Sequence, residues 1–172
     1  MNRRRKHSSL RARWHDYSAP GLYHIILTLK ERQPYFGYIR DSEMHLNDFG
    51  HLVSGHVLQL EERYDGLRLD TFAVMPDHVH LLVEIQDITR ESFASNHTKD
   101  QAAKGRRRRM LIPLMVGYLK MRTAKEINHL QGTSGCALWQ ERYYDRIVRI
   151  ATDIDSVRRY IVHNALHHTR TP

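Results

Sequence analysis

Two histidines one residue apart head an apolar run, Met75-Pro76-Asp77-His78-Val79-His80-Leu81-Leu82-Val83-Glu84. In a strand, side chains alternate between faces. His78, His80, Leu82 and Glu84 then share one face, and Val79, Leu81, Val83 and Ile85 form the other, core-facing one. Two imidazoles on one strand face can ligate a single divalent ion, and histidine is mostly neutral at pH 7. The same pair also fits two half-exposed histidines in a chain that holds 13 of them. Histidine-triad nucleotide hydrolases need a third His where Leu82 stands. Metallo-β-lactamase-like hydrolases need an acid and a further His directly after the pair, where this chain has Leu81-Leu82.

A second group lies near the C-terminus. With Ile161 at the centre of a helical stripe, Ile154, Val157 and Ala165 fall beside it. Tyr160 and Asn164, four residues apart, stand one above the other on a neighbouring face, and His167 continues that line. A phenol, an amide and an imidazole thus share a direction, as does any tyrosine at the edge of an amphipathic helix. A third segment, Trp139 to Arg149 (WQERYYDRIVR), interleaves aromatic and basic side chains. That pattern suits base stacking with phosphate contacts from Arg146 and Arg149. It equally suits a strand anchored by Trp139 and Tyr143.

The elements that must position these groups can be read from periodicity and turn residues. Leu22–Lys30 reads as a strand rich in β-branched and aromatic residues. Phe36–Arg40 and Glu43–Leu46 flank Asp41-Ser42 as a hairpin. Asp48 is the expected cap of a helix carrying Leu52, His56 or Val57, Leu60 and Tyr64, ended by Gly66. Leu67–Met75 and His78–Ile85 read as strands joined at Pro76-Asp77. Leu111–Leu130 has helical spacing in Leu111, Leu114, Met115, Tyr118, Leu119, Ile127 and Leu130, with Pro113 tolerated in the first turn. Tyr143–Ile150 is the last strand. Asp153–His168 is the last helix, with Thr152 and Asp155 as a weak capping box. The order suggests an α+β, ferredoxin-like antiparallel sheet with helices on one face and an added C-terminal helix.

The chain has 172 residues, enough for one core, and a formal charge of +8. The excess is localised. Residues 1–13 and 104–109 carry eleven Lys and Arg and no acid, which leaves 16 bases against 19 acids elsewhere. We read residues 1–14 as a basic tail and 15–172 as one domain with a long basic loop at about 86–110. Such clusters suit nucleic acid as a partner, through Arg3, Arg4, Arg5, Arg106, Arg107, Arg108 and Arg109. No apolar run is long enough to span a bilayer, no apolar segment follows the basic start, and the lone Cys136 rules out a disulfide framework. The expectation is a cytoplasmic, nucleoid-associated protein with no membrane partner.

Taken together, the motifs resemble single-tyrosine HUH transposases, most closely the REP-associated tyrosine transposases within the superfamily of short insertion-sequence transposases. The resemblance rests on Met75-Pro76 before His78-Val79-His80, the opening Leu22-Tyr23-His24-Ile25, and Glu43 to Gly50. It extends to Leu119-Lys120 with Ile127-Asn128, Trp139-Gln140 with Tyr143-Tyr144-Asp145, and Tyr160-Ile161-x-x-Asn164, over roughly residues 15–168. It implies an RRM-like sheet with a catalytic C-terminal helix, Tyr160 as nucleophile, and His78, His80 and Asn164 as ligands of Mg²⁺ or Mn²⁺. The implied activity is cleavage and rejoining of single-stranded or hairpin DNA through a 5′-phosphotyrosine. Family members include both helix-exchanging dimers and monomers, so a homodimer and a monomer both fit. A tyrosine phenol, with an ordinary pKa of about 10, costs about 4 kcal/mol to ionise at pH 7, so a base is expected, with Glu84 and Asp77 as candidates. Two other readings remain on the residues themselves: a non-catalytic DNA- or RNA-binding protein on the same fold, and a metal-dependent phosphoesterase using water. Ala165 stands where relatives often have Pro.

Overall fold

In the computed structural model, residues 19–86, 110–149 and 151–164 are described. The basic tail, most of the 86–110 loop, and Arg3, Arg4, Arg5 and Arg106 to Arg109 lie outside them. A four-stranded antiparallel sheet carries the rest. Its central strands are β1 (Gly21–Thr28) and β5 (His78–Ile85), with β4 (Leu67–Val74) and β6 (Tyr144–Val148) at the edges, in the order β4-β5-β1-β6. The short strands β2 (Gly37–Arg40) and β3 (Glu43–Leu46) pair only with each other. The helices are α1 (Asp48–Leu58), α2 (Leu60–Arg63), α3 (Leu111–Leu130) and α4 (Ala151–Val162). Removing the hairpin, α2 and α4 leaves βαββαβ with the strand order of a ferredoxin-like fold, as the sequence pattern predicts.

The central strands bury apolar side chains on both faces because each face meets helices. One face, with Tyr23, Ile25, Leu27, Val79, Leu81 and Val83, packs on Val53 and Val57 of α1 and on Ile112, Met115, Leu119 and Ile127 of α3. The other face, with Leu22, Leu82 and Val148, packs on Val157 and Ile161 of α4 in a second, smaller core. Burying two such side chains contributes about 3–6 kcal/mol. Two ion pairs flank this contact. Arg158 grips Asp70 with two bonds of 2.8 and 2.5 Å, at the register shift between Leu69 and Thr71, and Arg146 reaches Asp153 at 3.0 Å. Both are exposed, and such pairs contribute about 0–1 kcal/mol each. Apolar burial therefore seats α4. Among the described residues no helix is long and apolar enough to cross a membrane.

Several local expectations are corrected. Asn47, not Asp48, caps α1: its side chain accepts from the Gly50 amide at 3.0 Å, and Asp48 is the first helical residue. The stripe from Leu52 to Tyr64 is split by Gln59 into α1 and α2, so Val53 rather than Leu52 is fully buried. Leu114 of α3 is exposed because Ile112, Val116 and Thr123 lie on its inner side instead, and Leu130 is exposed as the last residue of the helix. β6 is shorter than read, and Thr152 falls inside α4 rather than ahead of it. The hairpin is as expected: Asp41 and Ser42 take φ of 53° and 65°, the left-handed pair of a two-residue type I′ turn.

Two helical glycines separate packing from propensity. A Cβ on Gly50 would lie 2.2 Å from the Phe36 carbonyl oxygen, whereas one on Gly55 would meet nothing within 4 Å. Gly50→Ala is expected to destabilise by about 1–3 kcal/mol or more. Gly55→Ala is expected to stabilise by up to about 1 kcal/mol. Urea unfolding midpoints of the two variants should move in opposite directions.

Candidate active site

The turn before β5 is tied down by the main chain. Its Pro76 carbonyl accepts from the Tyr35 and Phe36 amides, at 2.7 and 3.0 Å, and the Asp77 carbonyl accepts from the Leu29 amide at 2.9 Å. From this fixed turn the Asp77 carboxylate reaches the Nδ1 of His78 at 2.6 Å. The imidazole N–H donates to the carboxylate there, which leaves the Nε2 of His78 as a lone pair. His80 is only 1% exposed, so the half-exposed alternative does not describe it. Its Nε2 lies 3.0 Å from the Nε2 of His78.

A third histidine completes the arrangement and is one that spacing alone did not single out as functional. His24, buried on β1, places its Nε2 3.0 Å from the Nδ1 of His80, with the two rings stacked at 5.3 Å. If His80 donates its Nδ1–H to His24, its Nε2 is also a lone pair, and both β5 imidazoles offer electron pairs to one point. The available signal was a single polar side chain amid Leu22, Ile26 and the other apolar residues of a strand buried on both faces. Burial, aided by the positive charge of Arg146, lowers the His24 pKa to about 4. Burial, then the neighbouring His78 and His24, lowers that of His80 to about 3. Both rings are therefore neutral at pH 7.

α4 brings Tyr160 to this cluster. Its ring meets His80 edge-on, centroids 5.5 Å apart, and meets His24 edge-on at 6.3 Å. Tyr160 is 44% exposed, so a macromolecular substrate has access to it. Asn164 follows one turn later, yet it is only 5% exposed, and its buried Nδ2 has no hydrogen-bond partner among the described residues. Tyr160, within α4, and Asn164, just past its end, thus differ in environment. Of the two candidate bases, Asp77 is engaged with His78. Glu84 is exposed and four residues beyond His80 along the strand, about 13 Å away.

The donor set can be tested against a divalent ion. Two lone pairs 3.0 Å apart suit one cation bonded to each imidazole at about 2 Å. Each histidine has its other nitrogen engaged, one by a carboxylate and one by an imidazole, which is how metal-binding histidines are held. Among the described residues no group of three His, Cys, Asp or Glu is arranged so that all three could hold one metal ion. The buried Asn164 amide lacks a partner among the described residues at its Nδ2, which is a hydrogen-bond donor; only its Oδ1 has the lone pairs a metal needs. Arg146 shares the site's face but is paired with Asp153, and Arg149 is exposed just past β6.

No protein-family model matches the chain. An uncharacterised protein of Haemophilus influenzae (strain ATCC 51907 / DSM 11121 / KW20 / Rd) is 32% identical over 77 residues, 45% of this chain, and the match spans 43% of that relative's length. Among solved structures, a REP-associated tyrosine transposase bound to a REP hairpin superposes with a TM-score of 0.50 and 16% identity, over 86% of this chain and 68% of that one. A protein of Deinococcus radiodurans R1 described as a candidate transposase gives a TM-score of 0.47 and 18% identity, over 94% and 96% of the two chains. The first of these structures establishes a shared fold.

The lowered histidine pKa values set the sign of a pH effect. Between about pH 6.5 and 4 the unfolded chain protonates these imidazoles while the folded one does not, so stability falls as pH falls through that window. With chelator present, the urea midpoint should drop between pH 7 and pH 5, and His24→Gln should make that drop smaller. An unchanged drop in the variant would rule out a contribution from His24.

Proposed function

We propose that this chain, built on the fold of a REP-associated tyrosine transposase, is a metal-dependent single-stranded DNA endonuclease and strand-transferase. The observation that carries the reading is the meeting of the paired His78 and His80 nitrogens with the exposed Tyr160, which come from a sheet and a helix far apart in sequence. Spacing in the sequence accounts for each pair but not for their convergence.

The chemistry is a transesterification. The Tyr160 phenolic oxygen attacks a backbone phosphorus, the bond from phosphorus to the 3′ oxygen breaks, and the chain keeps a 5′-phosphotyrosine. The phenolic proton passes to solvent or a bound base, and the departing 3′ oxygen takes up a proton. A second 3′-hydroxyl then reverses the step and releases Tyr160. Bond energy is conserved in the covalent intermediate, so no nucleotide triphosphate is consumed.

His78, His80 and Asn164 would hold Mg²⁺ or, better matched to imidazole, Mn²⁺. Bound there, the ion supplies Lewis-acid polarisation of the phosphoryl oxygens. Asp77 and His24 fix the tautomers of the two histidines, and burial keeps His80 neutral. The basic tail and loop, with Arg149, supply the phosphate contacts that hold the strand. In the solved relative the bound DNA is a REP hairpin, and we extend a hairpin-flanked single strand to this chain as its substrate.

Incubation with Mn²⁺ and a pool of hairpin-flanked single strands should yield an SDS-resistant adduct, lost in Tyr160→Phe while DNA binding persists. Cleavage without an adduct and untouched by Tyr160→Phe would point to water as nucleophile. Titration calorimetry adds a readout independent of turnover: His80→Ala should abolish Mn²⁺ binding, and His24→Gln should weaken it by roughly 10–100-fold. Equal Mn²⁺ affinity in all three proteins would remove the assigned ligands.

A further inference from the structure

The aromatic residues of the Trp139–Arg149 segment divide by position. Trp139 is buried; its indole N–H donates to the Thr123 hydroxyl at 2.9 Å, and its ring packs on Phe36. Tyr143 packs against the main core, with the Lys120 ammonium 5.6 Å from its ring centre. That ammonium also gathers the carbonyls of Gln140, Glu141 and Arg142. These two rings hold the fold together. Tyr144 differs: it is 51% exposed and lies on the opposite face of the sheet, the face that carries the histidines.

Register fixes its position relative to the site. Tyr144 is opposite Ile26, and Ile26 is opposite His80, so Tyr144 and His80 stand in one cross-strand row about 10 Å apart. The Tyr144 ring meets His24 edge-on, with centroids 6.3 Å apart and planes at 74°. Tyr160 meets the same imidazole at 6.3 Å and 76°. The buried His24 therefore meets two exposed phenol rings, one on the helix and one on the sheet. β6 is an edge strand among the described residues, so the sheet does not continue past Tyr144. Arg146, two residues on and on the same face, is held there by Asp153. An aromatic ring set against a neighbouring imidazole, half open to solvent, with a guanidinium two residues along the same face, has the form of a platform for a nucleobase.

We propose that Tyr144 stacks on the base beside the broken phosphodiester and so helps select which phosphorus Tyr160 reaches. The inference rests on the DNA-cleaving reading above and adds a positioning residue to it. Stacking needs the ring and not the hydroxyl, so Tyr144→Phe and Tyr144→Trp retain the role and Tyr144→Ala loses it.

The test uses the full chain carrying Tyr160→Phe, to prevent covalent capture. The probe is a hairpin-flanked single strand with 2-aminopurine placed at one position at a time around the cleavage point. One position should be quenched on binding. Tyr144→Ala should relieve that quench alone and weaken binding about tenfold, while Tyr144→Phe matches the parent. A merely structural role would not give a position-specific change. A chain in which Tyr144→Ala alters neither quenching nor affinity, although the Tyr160-bearing protein forms its adduct, overturns the stacking role and leaves the nucleophile standing. Tyr144→Phe behaving like Tyr144→Ala also overturns it, in favour of a hydroxyl function. A parent that binds no DNA overturns both readings.

Discussion

The seating of Val157 and Ile161 on Leu22, Leu82 and Val148 is the contact on which the candidate site depends. Without it the sheet would still have its main core, built from Tyr23, Ile25 and Leu27 against α1 and α3. It would lose the tyrosine half of the site. The contact also explains why β5 has buried apolar side chains on both faces: Val79, Leu81 and Val83 belong to one core and Leu82 to the other. His80 lies among these residues, and the same burial lowers its pKa and closes off its stacked partner His24. Packing and electrostatics at the site thus have a common origin.

Much of the fold is legible in the sequence where one physical signal dominates. Leu111–Leu130 is read to its ends because helical spacing is long and Pro113 marks the first turn. The Asp41-Ser42 hairpin is read because polar residues interrupt two short apolar-alternating runs. The capping of α1 is misread because Asn47 and Asp48 are both competent caps. The choice between them is made by where Gly50 meets the Phe36 carbonyl, a contact between distant elements. Likewise Leu114 lies too far round the helix from Ile112 and Val116 to reach the sheet, and Leu130, on their side, is the last helical residue and stands exposed at its end.

The site divides in the same way. Strand alternation puts His78 and His80 on one face, and helical spacing puts Tyr160 near Asn164, because each pair is local. His24 escapes such reasoning, since its partner is on another strand and the register that brings them together is set by two whole strands. The positive charge, conspicuous in composition, is concentrated in segments outside the described residues. Around the histidines the charges that matter are few: Asp77 on His78, and Arg146 on His24. Bulk positive charge and the placed atoms of the candidate site are therefore written in different parts of the chain.

The two halves of the site differ in how firmly they are mounted. The Pro76–Asp77 turn is pinned by three main-chain amides and rises from the centre of a four-stranded sheet, so the histidines have little slack. The tyrosine rides on a helix held by one apolar seat and two solvent-screened ion pairs at its flanks. The sheet is thus the stiffer mounting and the helix the softer one, and added salt, which screens exposed ion pairs, loosens the helix while leaving the main-chain pins of the turn untouched.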